Sequence, residues 1–147
     1  MSGLPSGITV TTASFGLHAE AIRALRHEVF VVGQDVPEDE EWDGQDELPT
    51  TVHLLALAAD GAPLGTARLL PGGRIGRMAV RASHRRQGIG GALLEALVAL
   101  ARARGVTRCV LGAQMQAIPF YEKHGFAAQG GVFLDAGIEH RIMSRDL

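Results

Sequence analysis

The sequence predicts an α/β protein in which a mixed sheet carries helices on both faces. Three observations predict it: seven short β-branched or apolar runs, helical spacings that interrupt those runs, and a glycine-rich turn joining a strand directly to the longest helix. Ile8-Thr9-Val10-Thr11-Thr12 alternates and is rich in β-branched residues, so it opens the fold as a strand. From His18 to Val32, Ala21, Ile22, Leu25, Val29 and Val32 recur at the spacing of one or two short helices. Gly33 and Pro37 stop that pattern and begin an acidic loop that ends near Pro49.

Two apolar runs, His53 to Ala59 and Leu64 to Leu70, flank Asp60-Gly61-Ala62-Pro63, which is a hairpin signal. Pro71-Gly72-Gly73 then turns the chain into a strand from Arg74 to Val80. Between about Gly88 and Arg104, Ile89, Leu93, Ala96, Leu97, Leu100 and Ala101 form one wide apolar helix face, and Gly105 follows as a C-cap. Arg108 to Gln114 reads as an apolar strand and Ala117 to His124 as a short helix. Phe126 to Leu147 reads as two strands broken around Asp135-Ala136-Gly137. No repeat, linker or low-complexity stretch divides these elements, so residues 1–147 are read as a single domain.

Composition narrows the function classes. A chain of 147 residues that is 46% hydrophobic can bury a full core, and a net charge of −2 gives no reason to expect a nucleic acid or membrane partner. No apolar run approaches the roughly 20 residues needed to span a bilayer. Met1-Ser2-Gly3-Leu4-Pro5 lacks the charged and apolar regions of a signal peptide, so a cytoplasmic location is expected. The single cysteine, Cys109, forms no internal disulfide and no zinc site by itself, so no metal is expected. Within its apolar strand it reads as a buried apolar residue. The charge is unevenly spread. Eight acids and no Lys or Arg lie between Asp35 and Glu47, a run read as a solvated loop or a cation-attracting surface, with Trp42 anchoring it. Between Arg68 and Arg108 stand nine arginines and one acid, Glu95, which suits an anionic ligand.

The chemistry begins at Arg85-Arg86-Gln87-Gly88-Ile89-Gly90-Gly91. Glycines open turn conformations closed to other residues, and successive N–H groups at a helix start form a nest for a phosphate. The dinucleotide fingerprint would need a glycine where Leu93 stands, and the P-loop would need a Lys-Ser/Thr pair that is absent. What remains, Arg85-x-x-Gly88-x-Gly90, resembles motif A of the GCN5-related N-acetyltransferases. In that family R/Q-x-x-G-x-G/A binds the pyrophosphate of acetyl-coenzyme A. Ile118-Pro119-Phe120-Tyr121-Glu122-Lys123-His124-Gly125-Phe126 resembles motif B of the same family, and the order of elements is similar over nearly the whole chain. Leu25-Arg26-x-x-Val29-Phe30-Val31-Val32-x-Gln34, Trp42-Asp43-Gly44-x-Asp46, His53-Leu54, Leu111-Gly112-Ala113-Gln114 and Phe133-Leu134-Asp135-Ala136-Gly137-Ile138-x-His140 resemble the ElaA-type branch. Gly33, where that branch usually carries Glu, and Glu139, where Pro is usual, depart from it.

The resemblance implies a mostly antiparallel sheet of six to seven strands and acetyl-coenzyme A as cosubstrate. It implies that backbone groups of Met78, Ala79 and Val80 pair with the pantetheine arm. Arg85, Arg86, Gln87, Gly88, Ile89, Gly90 and Gly91 would hold the pyrophosphate, and Tyr121 would be the general acid for the leaving thiolate. Gln114 stands where many relatives carry Asn, so its amide would bind the pantetheine or position the acceptor. An amine acceptor must lose a proton before it attacks, since a lysine-like amine has a pKa of about 10.4. His140 and His53 are the candidate bases, with Glu28, Glu41 and Asp43 as carboxylates that could act through water. His84 and His124 are read as packing or solvent residues, and His18 and His27 carry no assignment. The implied function is acetyl transfer to a small-molecule amine or a peptide within a ternary complex. A non-catalytic acyl-coenzyme A binding module is the alternative, and a homodimer is compatible with either.

Overall fold

Seven strands, β1 (Thr9–Ala13), β2 (Val52–Leu57), β3 (Pro63–Leu70), β4 (Arg74–Val80), β5 (Arg108–Gln114), β6 (Ala127–Asp135) and β7 (Ile138–Asp146), form one sheet in the order β1-β2-β3-β4-β5-β7-β6. It is seen in a computed structural model that describes residues 4–147. Met1, Ser2 and Gly3, which begin the stretch read for a signal peptide, lie outside the described residues. Neighbouring strands run antiparallel except β4 and β5, which are parallel. The sheet is therefore mixed and mostly antiparallel, with helices on both faces.

The faces follow from the apolar spacing. Helix α1 (Phe15–Arg26) buries Ile22 and Leu25 against Leu55 of β2. The chain then continues as a π-helical segment, His27–Val32, so the expected helical stretch begins three residues earlier than its spacing suggested and changes winding midway. A short helix α2 (Glu38–Glu41) sits inside the acidic loop. On the opposite face, α3 (Ile89–Ala103) buries Ile89, Leu93, Leu94, Leu97, Val98 and Ala101 in the main core, at the i, i+4 and i+8 spacing of one wide stripe. Gly65 of β3 makes this packing possible. A Cβ there would stand 3.1 Å from Ala79 O and 3.2 Å from both Ile89 and Leu93. Helix α4 (Ile118–Lys123) follows β5.

The parallel pair is where the sheet opens. β4 and β5 share a single register pair, Arg74↔Val110, so they are joined at their beginnings and unpaired toward Val80 and Gln114. Gly73 closes the joined end: it accepts a hydrogen bond from Val110 N–H at 3.0 Å, and its φ of +89° is left-handed. A Cβ on Gly73 would lie 2.5 Å from Arg108 O, so only glycine fits. Across β3, Thr66 pairs with Ala79 and Arg68 with Gly76, so Arg77 and Met78 both oppose Ala67 in a β-bulge. Arg77 takes a φ of +49° there, an unfavourable conformation for a side chain of its size.

The acidic loop departs from expectation in part: Asp35, Glu38, Asp39, Glu40 and Glu47 are exposed as a solvated loop requires, whereas Glu41, Asp43 and Asp46 are held by arginines. Glu41 and Asp46 are 3% and 6% exposed, and arginines hold them. Arg26, itself buried on α1, donates from Nε to Glu41 Oε1 and from Nη1 to Asp46 Oδ1, each at 2.7 Å. Arg68 grips Asp43 with both Nη atoms, at 2.9 and 2.8 Å, and reaches Asp46 at 3.1 Å. Arg77 pairs with Glu41 at 3.3 Å and Asp43 at 3.2 Å. These three acids are structural counter-ions, and they do not form a free cation-attracting surface. Three arginines from α1, β3 and β4 cannot be buried without them. Trp42 packs over this cluster, with the Arg26 guanidinium 4.9 Å from its ring centroid.

Candidate active site

Where β4 and β5 separate, two cavities meet. One, of about 510 Å³, lies beside the π-helical segment and is lined by Phe30, Gln34, Arg77, Gln114, Phe133 and His140, among others. The other, of about 960 Å³, lies over the start of α3 and is lined by Arg85, Arg86, Gly88, Gly90, Phe120 and His124, among others. Met78, Val80, Arg85, Ala117 and Tyr121 line both. A molecule reaching from one cavity to the other must pass Tyr121 and the bulged end of β4.

The cradle over α3 is built from main chain. Gly88 is the N-cap, with a φ of 83°, and no side chain caps the helix, so its first N–H groups are left for a ligand. Arg86 also has a positive φ, 63°, two residues earlier. Gly90 and Gly91 keep the floor low: a Cβ would lie 3.5 Å from the Phe120 ring at the first and 3.1 Å from His124 Nε2 at the second. Arg85 donates from Nε to Val80 O at 3.2 Å, which ties the cradle to the end of β4. Gly88, Ile89, Gly90, Gly91, Arg85 and Arg86 all line this cavity, whereas Gln87 does not. Uncapped N–H groups and two arginines over a glycine floor suit a pyrophosphate.

The strand edge of β4 that faces the cleft has no ladder partner beyond Arg74, so its backbone groups are open to an extended ligand. Met78 and Val80 line the cleft, while Ala79 is 2% exposed and turns into the core. Tyr121 is half-buried on α4 between the Phe120 and Phe126 rings, with centroids at 5.0 and 6.1 Å. Burial pushes its phenol up to about 12, so the hydroxyl is protonated at neutral pH.

On the other side of the cleft, β5 and β7 bring Gln114 and His140 into register. Gln114 donates from Nε2 to Gln34 Oε1 at 2.8 Å across 80 residues of sequence. His140 stacks on Phe133 with centroids 5.7 Å apart, and its Nδ1 donates to Ile138 O at 2.7 Å. That bond fixes the tautomer and leaves Nε2 as the available ring nitrogen. His53 stands elsewhere. It is 3% exposed, lines neither cavity, packs against the tilted Phe15 ring with centroids 4.9 Å apart and donates from Nε2 to Asp46 O at 3.0 Å. Burial lowers its pKa despite the nearby Asp46 carbonyl and carboxylate, so His53 is a neutral strut of the acidic loop. Cys109 is fully buried, and burial raises its thiol pKa.

The sequence reading does not single out Gln34 or Arg77 for the site. Gln34 carried a signal, as the amide that follows Val31-Val32 in the resembling segment. Nothing in the sequence marks Arg77, because a bulge depends on register across two strands.

A family model for the acetyltransferase (GNAT) domain matches residues 20–147. The chain is 40% identical over 126 residues to the uncharacterised N-acetyltransferase YjcF of Bacillus subtilis (strain 168), a match spanning 83% of this chain and 88% of the relative. The crystal structure of an acyl-CoA N-acyltransferase from Pseudomonas aeruginosa shares the fold with a TM-score of 0.82 and 36% identity, over 94% of this chain and 99% of that one. Escherichia coli ElaA does so with a TM-score of 0.83 and 26% identity, over 93% of this chain and 99% of that one. The split sheet, the glycine cradle and these likenesses agree: the chain belongs to the GNAT acetyltransferase family.

Proposed function

We propose that this protein transfers an acetyl group from acetyl-coenzyme A to a primary amine, by direct attack within a ternary complex. One observation carries the reading: Tyr121 stands where the glycine cradle and the Gln114–His140 cavity meet, with no hydrogen bond to its hydroxyl among the described residues. Acetyl-coenzyme A supplies an activated acyl group, with its pyrophosphate against the first turn of α3 and its pantetheine along the open edge of β4. The acceptor occupies the smaller cavity, whose aromatic walls and paired glutamines fit a small amine better than a long peptide.

In this reading the amine loses a proton to His140 Nε2, directly or through water, and its nitrogen then attacks the thioester carbon. His140 is assigned this role in preference to His53 because it lines the cavity, which the buried His53 does not. Main-chain N–H groups at the bulged end of β4 stabilise the oxyanion. The carbon–sulfur bond breaks and the amide is released; the thiolate accepts a hydrogen bond from the Tyr121 hydroxyl, and the second proton of the amine nitrogen, lost as the amide forms, passes to sulfur. Gln114, held by Gln34, orients the acceptor.

Release of free thiol from acetyl-coenzyme A, followed across a panel of small amines, tests the assignment. Tyr121→Phe should lower kcat about ten-fold or more and leave coenzyme A affinity nearly unchanged, as loss of a transition-state donor requires. An unaltered kcat removes Tyr121 from the reaction. A chain that binds coenzyme A but acetylates no amine would favour the non-catalytic binding module.

A further inference from the structure

The His124 imidazole, at the end of α4, is held by contacts that the proposed reaction does not use. Its Nδ1 donates to Glu95 Oε2 at 2.7 Å. Arg145 Nη1 in turn donates to Glu95 Oε1 at 3.2 Å and to His124 O at 2.9 Å, so one guanidinium fixes both the carboxylate and the turn that bears the histidine. The ring leans on Phe120 with centroids 5.0 Å apart. Glu95 lies one helical turn after Gly91 on the same face of α3, which sets the direction of the imidazole. Its second nitrogen is thereby brought over the first turn of the helix, 3.1 Å from where a Cβ on Gly91 would stand. His124, Gly91 and Arg86 line the same cavity.

We propose that His124 is a ligand of the donor's pyrophosphate, oriented by Glu95 and Arg145. This rests on the acyl-coenzyme A reading above. Nε2 and the uncapped N–H groups of α3 converge on one volume, and since Nδ1–H is given to Glu95, Nε2 donates to a phosphate oxygen as the imidazolium, the form in which both ring nitrogens carry a proton, in a charge-assisted bond. Glu95 lines the same cavity, and Arg145, which does not, offsets its charge through the ion pair at 3.2 Å. Glycine at position 91 suits the same geometry: a Cβ there would make the imidazole give by a few tenths of an ångström.

Binding of coenzyme A, dephospho-coenzyme A and S-acetylpantetheine to the whole chain tests this, since the first two carry the pyrophosphate and the third carries no phosphate. His124→Ala should raise the Kd of coenzyme A and of dephospho-coenzyme A by the same factor, about ten-fold, while the KM for S-acetylpantetheine moves by no more than about two-fold. Glu95→Gln keeps a partner for Nδ1 and removes its charge, so it should give a smaller loss with the same phosphate dependence. Equal losses for all three compounds would make His124 a packing residue and overturn the proposal. A loss confined to coenzyme A would move the contact to the 3′-phosphate and overturn the pyrophosphate assignment. Failure of the unmutated chain to bind coenzyme A at all would sink the acyl-coenzyme A reading, and His124 with it.

Discussion

Burial holds the Tyr121 phenol protonated through the whole neutral range, with its pKa pushed up to about 12. An ordinary thiol titrates at about 8.5, so complete transfer of the phenolic proton to a free thiolate is uphill by roughly 3.5 units, about 5 kcal/mol. Tyr121 therefore serves the proposed reaction best by donating a hydrogen bond as charge develops on sulfur, with the proton replaced from the amine that has just reacted. A pH profile distinguishes this from a titrating acid. The kcat/KM should rise as the acceptor amine deprotonates and show no Tyr121-dependent fall below about pH 11. A fall near pH 10 that vanishes in Tyr121→Phe would mean that the phenol titrates at its ordinary value. The other site residues divide by environment in the same way: both histidines donate one ring nitrogen to a carbonyl, but His140 lines the cavity whereas His53 is buried away from it.

Among the elements, the acidic loop gained the most from tertiary structure. Burial pushes the Asp43 carboxyl up, but hydrogen bonds from Arg68 and the Gln45 N–H, with the charges of Arg68 and Arg77, outweigh it and hold it at about 2. A carboxyl below its unfolded value of 3.8 adds stability above that pH, and the contribution is lost as pH falls toward 2. Asp43→Asn should thus cost about 1 kcal/mol at pH 7, once solvent screening of this partly exposed side chain is counted. In urea unfolding the gap between variant and parent should shrink below pH 3.8. A gap that is the same at every pH would assign the loss to packing. Because Arg77 sits on the bulge itself, this ion-pair cluster also connects the loop to the strand end that faces the thioester in the proposed complex.

At the scale of the whole molecule, the split between β4 and β5 opens the place where the two cavities meet, which the proposed reaction uses for donor and acceptor. Acetyl-coenzyme A should bridge these cavities and stabilise the folded chain by mass action. At one hundred times its Kd it should add about 2.7 kcal/mol and raise Tm by roughly 5 to 10 °C. ATP and NAD should do much less, as they lack the pantetheine arm that lies along β4. A thermal shift of the same size for all three would show that the cradle binds phosphates without choosing coenzyme A.

What the sequence determined by itself is what neighbouring residues decide. The strands β4 and β5 fall where their apolar runs end, the α3 stripe follows from 3.6-residue spacing, and the glycine cradle lies within seven consecutive residues. The seven strands and the family were legible for that reason. Tertiary structure decided whatever depends on residues far apart in the chain. Arg26 meets Glu41 across 15 positions, Arg68 meets Asp43 across 25 and Gln114 meets Gln34 across 80. Within a loop that reads as solvated by its charge, Glu41, Asp43 and Asp46 turn to arginines on three other elements, while the remaining acids stay exposed. Likewise His53 and His140 look alike in sequence, and only the sheet register, which puts one beneath the acidic loop and the other opposite Gln114, separates a strut from a candidate base. Local spacing sets the elements, but a charge or a titrating group takes its role from the partners that burial forces on it.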